Sequence, residues 1–117
     1  MAVTSNVSVG VVFTGDINYN QSFSAAANAA APGNVETKTL ASGNNTITPP
    51  AGGTTPVQVL IIPPAGNTAT LTLKGVNGDT GVVLHKTNPS LISLNSPTAT
   101  FVITTSAIIT GVKFIWG

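Results

Sequence analysis

The chain contains no cysteine and no arginine, and charged residues of any kind make up only 6% of it. Without cysteine there are no disulfide staples and no thiolate metal sites, and the redox compartment is left open. Without arginine there is no planar fork for two-point recognition of phosphate or guanine, and a net charge of +1 gives no electrostatic footprint for nucleic acid. Long apolar runs are missing as well. The longest near-continuous one, residues 57–62, is far short of a membrane span. Residues 1–6 carry neither a basic stretch nor a continuous apolar one, so they do not read as a signal peptide. The chain is expected to fold where it is made, with no nucleic-acid or membrane partner.

The scarcity of charge is the most telling of these absences. No charged side chain occurs from Thr39 to Leu73, nor again from Thr87 to Val112. An ordinary soluble domain devotes about a quarter of its residues to charge. It uses them to repel its neighbours and to guard its strand edges. A strand-rich chain that does neither is expected to keep its surfaces against other subunits.

What the chain does have is β-forming material. Hydrophobic residues make up 42% of it, and among the larger aliphatics Val and Ile far outnumber Leu, beside abundant Thr. These side chains are stiff at χ1 and suit a pleated surface better than a helix. At 117 residues the chain fits one domain, residues 1–117, and a domain of this size buries roughly 65% of its unfolded surface. Twelve Gly and eight Pro punctuate it.

Alternation predicts a strand over residues 3–14, bulged near Gly10, with Val7, Val9 and Val11 on one face. Gly15-Asp16 turns the chain. A second strand follows with Ile17, Tyr19, Gln21 and Phe23 on one side. Residues 25–31 are alanine-rich but short and without a large apolar anchor, so a loop or a single helical turn is expected there. Further strands are read over residues 35–40, 46–48, 57–62, 68–76, 81–86, 91–94, 98–105 and 108–116. The run 57–62 is apolar nearly throughout, as in a strand buried on both faces. Asn77-Gly78 between two strands is a strong hairpin signal. About eight to ten short strands at this spacing predict an all-β fold, a single-domain antiparallel β-sandwich. A jelly-roll order is favoured over an immunoglobulin-like one. Phe13, Phe23, Phe101 and Phe114 are expected in the core.

The catalytic inventory is thin. Asp16, Glu36 and Asp79 are the acids and His85 the sole histidine. Serines are common, but none sits in a Gly-x-Ser-x-Gly elbow, so His85 is read as a partly exposed strand residue beside Lys86. Asn77, Asp79 and Thr80 supply oxygen atoms but one carboxylate, which suits a turn bonded to its own backbone better than calcium. Lys74, Lys86 and Lys113 read as scattered solvated lysines. Residues 51–56 are glycine-rich but lack the Lys-Ser/Thr ending of a phosphate loop. The sequons at Asn6, Asn20 and Asn44 mean little without a secretory signal. No enzymatic activity, cofactor or metal is expected. Tyr19 and Trp116 are the aromatic residues that a sugar-binding surface would use.

The C-terminal half carries a distinctive run: Ile61-Ile62-Pro63-Pro64-Ala65-Gly66-Asn67-Thr68, then Leu71 to Gly81, Leu84 to Pro89, and Gly111-Val112-Lys113-Phe114-Ile115-Trp116. From Val57 to Gly117 the chain resembles the short, charge-poor β-sandwich proteins of bacteriophage virions, which coat heads or build tail parts. The resemblance implies a role in holding a particle together, most directly as a capsid decoration (cement) protein and alternatively as a tail or baseplate component. It implies residence in the virion after assembly in the host cytoplasm. The implied partners are a major capsid protein or tail proteins, together with further copies of the chain as a homo-oligomer. A carbohydrate-binding module is the reading from a different class. The interface is expected in Val7, Val9 and Val11 of the N-terminal strand, in Ala29 and Pro32, in Pro49 and Pro50, and in Trp116.

Overall fold

The computed structural model describes residues 3–24, 28–31, 34–50, 58–95 and 100–117. Among them are twelve strands and no helix: β1 (Val3–Ser5), β2 (Ser8–Phe13), β3 (Tyr19–Ser24), β4 (Asn28–Ala31), β5 (Asn34–Leu40), β6 (Gly43–Ile47), β7 (Gln58–Ile62), β8 (Leu71–Lys74), β9 (Val82–Leu84), β10 (Ser90–Ser93), β11 (Phe101–Thr105) and β12 (Ile109–Trp116). Hence no helix is long and apolar enough to cross a membrane among these residues.

Strands β5 to β12 make two four-stranded antiparallel sheets, ordered β10-β7-β12-β5 and β6-β11-β8-β9. The pairing is nested: β5 pairs with β12, β6 with β11, β7 with β10, and β8 with β9. Two further ladders, β12 with β7 and β11 with β8, complete the sheets. The inner faces share one apolar core. Leu40, Val59, Ile61, Val112, Phe114 and Trp116 meet Ile47, Leu71, Phe101 and Ile103 of the opposite sheet. The fold is thus an all-β antiparallel sandwich. The run expected to be buried on both faces is β7, which lies between β10 and β12 and is largely covered.

Trp116 closes one end of this core. Its ring stacks on Phe114 at a centroid distance of 6.4 Å and meets Phe101 of the other sheet at 6.1 Å. Its indole Nε1 donates to Glu36 Oε2 at 3.4 Å. Glu36 also pairs with Lys38 at 3.5 Å and accepts from Asn34 Nδ2. All three polar residues alternate onto the inward side of β5, an edge strand of its sheet. Charges turned inward on an edge strand discourage another chain from adding to it.

Strands β1 to β4 stand outside the sandwich sheets, as the pairs β1-β4 and β2-β3. The single strand expected over 3–14 is two strands, parted at Asn6-Val7. The bulge expected near Gly10 is not there: β2 and β3 pair without a break from Ser8↔Ser24 to Phe13↔Tyr19. A register shift of one residue occurs instead between Ile109 and Val112 of β12, where Gly111 has a φ of 86°. The alanine-rich segment is also corrected. Asn28–Ala31 is strand β4, because β1 offers it a ladder that a short isolated helix cannot match. Residues 25–27, 32–33 and 51–57 lie outside the described residues.

Candidate functional site

The β2-β3 hairpin presents a face that its own chain leaves open. Period-2 alternation and the register place Val9 beside Phe23, Val11 beside Gln21 and Phe13 beside Tyr19 on one side. Phe13 is 55% exposed, Phe23 50%, and Tyr19 and Val9 each 42%. Phe13 and Tyr19 lean together with centroids 5.7 Å apart and planes tilted by 40°. The turn between the strands adds Ile17 at 71% exposure and the hairpin's single charge, Asp16. Phe13 and Phe23, expected in the core, are therefore surface residues. The sandwich fills its interior without them, and among the described residues the hairpin has no third strand against which to bury them.

A second apolar surface lies on the outer face of the sheet β10-β7-β12-β5. The registers set Val35, Ile115, Leu60 and Leu91 side by side across all four strands. Ile115 and Leu60 are half-buried, whereas Val35 and Leu91 are exposed. A groove runs between this stripe and the root of the hairpin, lined by Asn6 to Gly10 on one side and by Leu60, Leu91 and Ile115 on the other. The one charge on the four strands' outer face is Lys113, two residues along β12 from Ile115 and exposed.

Of the residues expected at an interface, Val7 and Val9 line this groove, and Val11 follows on the same hairpin face, half-buried. Trp116 borders the groove but is only 1% exposed. It anchors the last strand from within, and a sugar cannot stack on it. Ala29 belongs to β4, and Pro32 lies outside the described residues. Pro49 and Pro50 are half-buried and follow β6, in the other sheet. The stripe Val35-Ile115-Leu60-Leu91 is not evident from the sequence. Each strand shows its outward apolar residue, but only the strand order aligns them.

Other candidate chemistry resolves into turn structure. Just beyond β9, the exposed His85 accepts at Nδ1 from the backbone N–H groups of Thr87 and Asn88, at 3.1 and 2.9 Å. Asp79 Oδ2 accepts from the N–H groups of Gly75 and Val76, at 3.1 and 3.0 Å. Among the described residues no three His, Cys, Asp or Glu side chains gather as metal ligands would. Between the sheets, Leu73, Val82, Ile92, Leu94 and Phe101 line an apolar cleft of about 760 Å³. No family model, curated protein or solved structure matches this chain.

Proposed function

We propose that the chain is a non-enzymatic structural subunit that acts by being covered, a bacteriophage virion protein that decorates and cements a capsid. The observation that carries the reading is the β2-β3 hairpin, whose Val9, Val12, Phe13, Ile17, Tyr19 and Phe23 all stand between 42% and 71% exposed in the isolated chain. An isolated two-stranded hairpin is marginal in water, and clustered exposed apolar groups mark interaction surfaces. Symmetric repetition then multiplies modest contacts over a particle. The partners in this reading are a major capsid protein and further copies of the chain, and the location is the virion. A tail or baseplate position uses the same surfaces.

The finer fold reading is a jelly roll. It is supported by the nested pairing, in which the segment from β5 to β12 behaves as one long hairpin wrapped into two sheets, with β8-β9 at its tip.

Density-gradient sedimentation of particles from the source culture, probed with an antibody to the chain, tests the proposal. Co-sedimentation with particles is expected, with immunogold label on heads for a decoration protein and on tails for the alternative. Chain found only in the free-protein fractions refutes it. The exposed Phe13-Tyr19 pair also favours a second reading, carbohydrate binding at the hairpin tip, for which glycan-array binding lost on Tyr19→Ala is the expected signature.

A further inference from the structure

We infer that the occupant of the hairpin face is a second copy of this chain: the β2-β3 hairpin of each copy seats on the outer-face stripe of the other, about a two-fold axis. The inference rests on the reading of the chain as an assembly subunit and names the partner and its docking surface.

The two faces match in chemistry. The hairpin offers Val9, Phe13, Tyr19 and Phe23 with one negative charge, Asp16. The sheet offers Val35, Ile115, Leu60 and Leu91 with one positive charge, Lys113. Apolar ground with a single opposite charge on each side is complementary to itself, which a two-fold interface requires. Within one chain the match is used only at the root of the hairpin. The hairpin's root lines the groove at Leu60, Leu91 and Ile115, while Phe13 and Ile17 near the tip stay 55% and 71% exposed and Val35 stays 63% exposed.

Area decides for a reciprocal arrangement. Six residue pairs on two strands form a face of about 20 by 10 Å, so one docked hairpin covers roughly 400 Å² counting both sides. That is the size of a casual contact. Two hairpins docked reciprocally cover about 800 Å², which suits a weak, concentration-dependent dimer where a single contact would not hold. Exchange of an identical element between copies needs no surface that the chain lacks.

Sedimentation equilibrium of the purified full chain tests this, with far-UV circular dichroism and thermal unfolding as controls for folding. A concentration-dependent dimer is expected. Phe13→Ser and, on the other face, Val35→Lys each weaken it more than tenfold with the strand signal unchanged. Asp16→Lys or Lys113→Asp alone weakens it about two- to fivefold, the range of an exposed ion pair. The double variant Asp16→Lys/Lys113→Asp recovers the loss. Because the chain has no native cysteine, Phe13→Cys and Val35→Cys on differently tagged copies give an unambiguous mixed disulfide. A monomer at every concentration, or a dimer indifferent to both Phe13→Ser and Val35→Lys, overturns the inference. A monomeric chain that still co-sediments with particles overturns it while leaving the virion reading standing. A dimer that never meets particles does the reverse.

Discussion

Gly81 and Gly111 share a backbone conformation but differ in their surroundings, so alanine at each separates conformational strain from steric conflict. Their φ angles are 78° and 86°. At such angles a side chain costs about 1–2 kcal/mol in either place. A Cβ on Gly111 meets nothing within 4 Å. On Gly81 it would lie 2.4 Å from the Leu73 carbonyl oxygen, 2.7 Å from Lys74 Cγ and 2.8 Å from Thr72 Cγ2. The carbonyl is backbone and cannot swing away without disturbing the pairing of Leu73 with Val82. The conflict is relieved most cheaply by releasing β9, an edge strand of three residues. That release sets a ceiling: a few ladder bonds at about 1 kcal/mol each, plus about 1 kcal/mol for the half-buried Leu84. Gly81→Ala is therefore expected to cost about 3–4 kcal/mol, and Gly111→Ala about 1–2 kcal/mol. Urea unfolding followed by circular dichroism measures both, and amide exchange should show protection lost at Val82 to Leu84 in Gly81→Ala alone. Equal costs for the two variants, within about 0.5 kcal/mol, refute the steric argument.

Trp116→Ala empties the end of the core and is expected to cost about 3–5 kcal/mol, whereas Trp116→Phe loses the Glu36 bond and some packing for about 1–2 kcal/mol; chemical denaturation of both decides. Asn45 accepts from Ala41 N at 2.9 Å and donates through Nδ2 to the carbonyls of Ala41, Gly43 and Ile103. Asn45→Ala should cost about 2 kcal/mol. Asn45→Asp should be worse at neutral pH, because an anion then faces carbonyl oxygens. That excess is expected to vanish as acid protonates the new carboxyl, whose folded-state pKa the carbonyls raise, so its stability relative to Asn45→Ala rises as the pH falls toward about 4 and is level below it. His85→Asn keeps a side-chain acceptor for the N–H groups of Thr87 and Asn88, while His85→Leu removes it. Nuclear magnetic resonance shifts over residues 85–89 should move far more in the leucine variant.

The periodic parts of the sandwich were legible because one buried face stamps a period of two on a strand. The apolar run at 57–62 announced a central strand, and β7 is central. Asn77-Gly78 announced a reversal, and β8 and β9 do pair there. The connection spans Gly75 to Gly81, however, and Asp79 organises it by capturing two backbone N–H groups. Three things were hidden. Gly43 to Asn45 fall between the strands expected over 35–40 and 46–48, yet they are the start of β6, because Asn45 spends its side chain on neighbouring carbonyls and β11 supplies the ladder. Phe13 and Phe23 carried the right alternation but nothing in their own segment says whether a partner sheet exists. The outer stripe depends on the order β10-β7-β12-β5, which joins residues as distant as Val35 and Leu91.

Charge poverty gains a location from the structure. Of the seven charged residues, Asp79 is engaged with its own loop, while Glu36 and Lys38 face inward on β5. That edge is guarded against casual pairing. The opposite edge of the same sheet, β10, reads Ser-Leu-Ile-Ser and carries no charge at all. Leu91 on that strand is also the end of the outer stripe. A chain selected to remain alone gains most from guarding both edges. Here one edge is blocked, and the other is left bare beside exposed apolar side chains. On the proposed reading as an assembly subunit, such asymmetry directs association to one side of the sandwich, so that a chain with few charges meets its neighbours in a fixed orientation rather than aggregating at every edge.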